Sequence, residues 1–152
     1  MGLSRSGFHS GSCRRERISI IFEIERICPS RRSASSSSPI LAKVRQHPDK
    51  ASYRSALGIA YAGLGRKQDA IREGKAGVEL KPVSKDVGGY VQLEVLARIY
   101  ASVGEQDEAL RLLGQILSSS KIMDVRSLRQ DPEWKPLRDN PKFQALLRKY
   151  GE

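Results

Sequence analysis

The chain has 152 residues, 39% hydrophobic and 29% charged, which allows one small domain with a modest core and leaves no room for an extensive one. Its net charge of +10 divides as +4 in residues 1–39 and +6 in the remainder, where Lys and Arg alternate with Asp and Glu as on solvated helices. No basic stripe forms, which argues against nucleic acid as a partner, and no run approaches the roughly 20 apolar residues of a membrane span.

Residues 1–39 are rich in Gly, Ser and Arg and end in Ser35–Ser38 before Pro39, a composition that buries too little apolar surface to offset chain entropy. This basic arm is expected to be disordered. Within it, Ile18, Ile20, Phe22 and Ile24 alternate as in a strand, while Ile20, Ile24 and Ile27 satisfy helical spacing, and periodicity leaves both open. The apolar run Ile18–Phe22 ends at Glu23 and Glu25, so neither a signal peptide nor an anchor is expected, and the three glutamates disfavour an organellar transit segment. A cytoplasmic location is the expectation. Cys13 and Cys28 lack a CxxC neighbour or a nearby His pair and are read as reduced thiols.

From Pro39 the pattern becomes that of packed helices. Ile40, Leu41 and Val44 form a short apolar face; Leu57, Tyr61 and Leu64 mark one helix, and Ala70, Ile71 and Val78 the next. Gly65-Arg66 breaks the pair, since glycine takes the left-handed conformation that closes a helix, and Lys67–Leu80 resumes until Pro82. A second pair runs from Val87 or Tyr90 to Val103, breaks at Gly104, and returns from Gln106 to Leu117 with Ala109, Leu110, Leu113 and Ile116 inward, stopping at Ser118-Ser119-Ser120. Asp131-Pro132 and Asn140-Pro141 each join an N-cap to a proline suited to the first helical position. After the second, Phe143, Leu146, Leu147 and Tyr150 share one face, fit to cover the flank of the last pair, with Gly151 closing the helix.

The two pairs repeat one another: Tyr61, Ala62, Gly65, Ala70 and Arg72 recur as Tyr100, Ala101, Gly104, Ala109 and Arg111. Arg54-x-x-Leu57-Gly58-x-x-Tyr61 followed by Ala70, Gly74 and Pro82, and Leu93, Leu96, Ala97, Tyr100, Ala109 and Leu113 after it, resemble the tetratricopeptide repeat. Arg54 stands where that family has Trp, Gly74 where it has a bulky aromatic, and Lys121 where the second copy would have its closing proline. Gly58 and Ala97 are 39 residues apart instead of about 34, which places extra residues around Val83–Gly89. Pro48 lies 34 residues before Pro82, so Ile40, Leu41 and Val44 read as the second helix of an earlier, partial unit. Asp131-Pro132-Glu133-Trp134-Lys135-Pro136-Leu137-Arg138-Asp139-Asn140-Pro141-Lys142-Phe143 resembles the end of such arrays in bacterial multidomain signalling proteins, so the chain is expected to be the tail of a longer protein.

The resemblance implies an all-α fold: two antiparallel helical hairpins of a right-handed solenoid with a C-terminal capping helix. The divisions are an arm at 1–39, a partial unit at 40–50, repeats at 51–84 and 90–120, and a cap at 121–152. It also implies a non-enzymatic protein–protein interaction module whose protein or peptide partner lies in a concave groove lined by Ser52, Ser55, Ile59 and Ala62 of one hairpin and Val91, Glu94, Arg98 and Ala101 of the other. Ser55 and Ile59 replace the Lys and Asn that clamp a C-terminal carboxylate in chaperone-binding members. Glu94 and Arg98 also suit an i, i+4 surface pair. The alternatives are a structural remnant without a ligand, or a nucleic-acid binder using the arm.

Catalytic patterns are incomplete. Ser118-Ser119-Ser120-Lys121 has the S-x-x-K spacing without its companion elements, and Gly63-x-Gly65 and Gly58–Leu64 lack the rest of a nucleotide loop. His9 and His47 have no ligand set around them, so no metal and no cofactor is expected. Trp134 and Tyr150 are read as packing anchors.

Overall fold

The computed structural model describes residues 39–119 and 123–151. The expectations placed on residues 1–38, with Cys13, Cys28 and His9, and on Ser120 and Lys121 lie outside the described residues. Among those described, every regular element is helical: α1 (Pro39–Gln46), α2 (Ala51–Gly63), α3 (Lys67–Leu80), α4 (Gly89–Ser102), α5 (Gln106–Ser119), α6 (Val125–Gln130), a 3-10 turn (Pro132–Leu137) and α7 (Pro141–Tyr150). α5 runs through Ser118 and Ser119, past the expected stop at the serine cluster, because the hydroxyl of Ser118 turns back to the Gln115 carbonyl (3.0 Å) and is satisfied inside the helix.

The two interhelical turns are built alike. Gly65 has φ +74° and Gly104 φ +85°. Beyond them the amides of Arg66 and Glu105 donate to the carbonyls of Tyr61 and Tyr100, each at 2.9 Å, closing two identical six-residue C-caps. A Cβ at either glycine would meet nothing within 4 Å, so substitution is opposed by backbone conformation alone. Gly65→Ala and Gly104→Ala are each expected to lower stability by about 1 kcal/mol, measurable as a shift in urea midpoint at unchanged m-value.

α2 and α3 form one hairpin, α4 and α5 the next, and α4 packs on both α2 and α3. The contact is close because glycines face it: a Cβ on Gly58 would stand 2.7 Å from Ile99 Cδ1, and one on Gly74 would stand 2.8 Å from Ile99 Cδ1 and 2.9 Å from Leu96 Cδ1. Leu96 and Ile99 therefore fill the volume beside Gly74. Gly74→Phe is expected to destabilise by about 2 kcal/mol through overpacking, read from thermal denaturation. Arg54, standing where the pattern has Trp, instead pairs with the buried Glu73 of α3 at 2.9 Å. The longer linker after α3 is held against α4: a Cβ on Gly89 would lie 2.6 Å from both the Lys81 carbonyl and the Val83 amide nitrogen.

Two apolar clusters result. One joins Ile40 and Val44 of α1 to Ala56, Leu57 and Tyr61 of α2, Ala70 of α3, and Val95 and Ile99 of α4. The other joins the opposite side of α4 to α5 and the C-terminal elements, with Leu113, Leu128, Trp134, Leu137 and Phe143 almost fully enclosed. The C-terminal region contains the two expected starts, at Asp131-Pro132 and Asn140-Pro141, and a further short helix, α6, before them, so that it consists of three elements, each with its own N-cap. Asp124 accepts from the Ser127 amide (2.6 Å), Asp131 from Glu133 (3.0 Å) and Asn140 from Lys142 (2.9 Å). The 3-10 turn lies on α4, and α7 on α5 and α6, burying Phe143 and Leu147 as their spacing predicts.

Candidate functional site

α4 is the central helix, and most of its residues are buried. Its polar side chains therefore need partners from neighbouring elements. Gln92 accepts a hydrogen bond from the hydroxyl of Ser55 on α2 (2.5 Å), and Gly77 of α3 faces the same hydroxyl so closely that a Cβ there would collide with it. One buried polar contact thus ties the first hairpin to the second.

Arg98, one turn further along α4 than Glu94, is the centre of a larger arrangement. Its Nη2 donates to Glu94 (2.9 Å) and to Asp131 (2.8 Å), and its Nη1 donates to Glu133. The guanidinium carbon stands 5.4 Å from the centroid of the Trp134 ring. Burial opposes the charge of Arg98, but Glu94, Glu133 and Asp131 outweigh it and hold the guanidinium above its ordinary pKa, so it is charged at every physiological pH. With the fork of one arginine shared by three carboxylates, the α4 helix is fastened to the turn that begins at Asp131. Gln106 at the start of α5 continues the seam: its side chain donates to the Pro136 carbonyl (3.1 Å) and accepts from Asn140 (2.8 Å).

This geometry redistributes the expected groove residues. Ser52, Ile59 and Ala62 remain partly accessible along α2, whereas Ser55, Val91, Glu94 and Ala101 are buried. Ser55 is enclosed because α3 brings a glycine against it, and Ala101 because the C-terminal turn covers that side of α4. These four are not presented to solvent. Glu94 and Arg98 do pair at i, i+4, yet the side chains are only 5% and 10% exposed, so the pair is an interior clasp and not a surface one. Sequence reasoning did not identify Asp131 and Glu133 as partners of Arg98. Their N-cap and first-turn positions explain both acids locally, and the 33 and 35 residues separating them from Arg98 carry no periodic signal.

Among the described residues, no group of three or more His, Cys, Asp or Glu is placed to hold a metal, and no helix is long and apolar enough to cross a membrane. Protein-family models, characterised proteins and solved structures offer no match to this chain.

Proposed function

We propose that the chain is a non-enzymatic protein–protein interaction module of tetratricopeptide type. In this reading residues 51–84 and 90–120 are successive units of a right-handed solenoid, 40–50 is a partial unit and 121–152 is a cap. The observation that carries it is the repetition of one local design: two hairpins closed by left-handed glycines with the same capping bonds, stacked so that α4 meets both helices of the preceding pair. Helix pairs of this kind cannot bury their apolar faces alone, and stacking them leaves a continuous face on which the side chains of the first helices are displayed.

The part of that face still open to a peptide is the α2 line of Ser52, Ile59 and Ala62. It offers apolar contact with a polar edge, suited to an extended or helical segment of another protein. The test is a photo-crosslinking residue at position 59 of the full chain, irradiated in cells that carry the gene. A discrete adduct is expected, abolished by Ala62→Arg in a protein whose circular dichroism is unchanged. Adducts indistinguishable from those formed from position 111, on the exposed side of α5, would refute the reading.

A further inference from the structure

The C-terminal elements gather cations that are scattered in the sequence. Arg126 and Arg129 are three residues apart, share one side of α6 and are exposed; Arg148 and Lys149 are exposed in the last turn of α7. The two helices pack side by side, and their register is fixed at Gly151, where a Cβ would stand 3.2 Å from Val125 Cγ1 and 3.4 Å from Arg129 Nη2. Arg148 lies one turn before Gly151 and so on the same edge of α7. Arg126, Arg129 and Arg148 therefore border one crease, whereas Lys149, two residues before Gly151, projects from the other side of α7, its ammonium 5.1 Å from the centroid of the Tyr150 ring.

No ion pair joins any of these four to a carboxylate among the described residues. Among the described residues the nearby acids are engaged elsewhere: Asp131 and Glu133 on Arg98, Asp124 on the Ser127 amide, and α7 carries none from Pro141 to Tyr150. Cations in a last turn complement the helix dipole, which accounts for Arg129, Arg148 and Lys149, but Arg126 sits in the first turn of α6, where a positive charge is disfavoured. A like-charged crease that the fold itself does not require points to an external anion.

We propose that this crease binds the phosphate backbone of a nucleic acid. Its three cations are all arginines, whose planar fork suits phosphate oxygens. A protein partner would need an apolar anchor, and the large hydrophobic side chains exposed among the described residues, Leu80 and Val87, lie at the α3–α4 linker, remote from the cap in sequence and packing. The surface is separate from the α2 face, so the proposal stands or falls independently of the interaction-module reading.

The test is fluorescence anisotropy of a labelled generic DNA duplex titrated with the full chain. Binding is expected at about 20 mM salt, with log K falling against log salt by about 0.9 for each phosphate contacted. Replacing Arg126, Arg129 and Arg148 together by Gln should weaken binding by at least about tenfold and make that slope shallower by about 3, while Arg31→Gln with Arg32→Gln in the arm leaves the difference between cap and wild type intact. All three side chains are exposed, so the thermal transition should be unchanged by their replacement. Failure of the wild type to bind at low salt, equal binding by the threefold variant, or displacement of the duplex by polyglutamate as readily as by unlabelled duplex would each overturn the proposal.

Discussion

Replacing Trp134 by alanine is expected to lower stability by about 4 kcal/mol, the largest effect of any single truncation in the chain. The indole is 1% exposed and lies in the apolar cluster with Leu128, Leu137 and Phe143, so its removal leaves a cavity that three separate elements would have to collapse to fill. Its loss also strips the aromatic face from Arg98, 5.4 Å away, and loosens the clasp on α4. For a domain of this size the melting temperature should drop by roughly 15 °C. Helical ellipticity is the proper readout, because the chain has one tryptophan and the variant loses its fluorescence. Trp134→Phe should recover about half of the loss. A melting temperature for Trp134→Ala within about 3 °C of wild type would show that the C-terminal elements do not depend on this anchor.

Arg98→Met is expected to cost about 3 kcal/mol, although methionine matches the length of the aliphatic stem. The penalty comes from what remains: Glu94, Asp131 and Glu133 would face one another without the guanidinium that holds them together. Combining Arg98→Met with Glu94→Met should restore part of the stability, since the more enclosed carboxylate is then removed along with its counter-ion. A double-mutant cycle between Arg98 and Glu94 should accordingly give a coupling energy above about 1 kcal/mol. Hydrogen exchange in Arg98→Met should rise first in the 3-10 turn, α6 and α7, with α2 and α3 keeping their protection. Uniform loss of protection along the whole chain would instead mean that the clasp supports both hairpins equally.

How far the structure could be read from residues depended on the range of the signal. The limits of α3, Lys67–Leu80, were legible to the residue because Gly65 and Pro82 act through their own backbones. The starts at Asp131-Pro132 and Asn140-Pro141 were legible because an N-cap and a proline need only one turn to express themselves. α6 escaped notice: six residues bounded by Asp124 and Asp131 contain too few turns to display a period. The partners of α4 escaped notice for a different reason, because Ser55 with Gln92 and Arg98 with Asp131 and Glu133 are pairings created only when helices distant in sequence meet. The expected groove suffered from the same limit. A family pattern fixes which helix positions face a common side, but the approach of α3 to Ser55 and the seating of the turn at Pro132–Leu137 on α4 decide which of those positions stay open.

The seating of that turn on α4, and of α7 on α5, also governs how such a protein could be lengthened. A new helical pair spliced after Glu152 would find its natural berth taken by the indole and phenyl rings of Trp134 and Phe143. Any added helix would have to displace these rings to reach the apolar side of α4 and α5 that they cover.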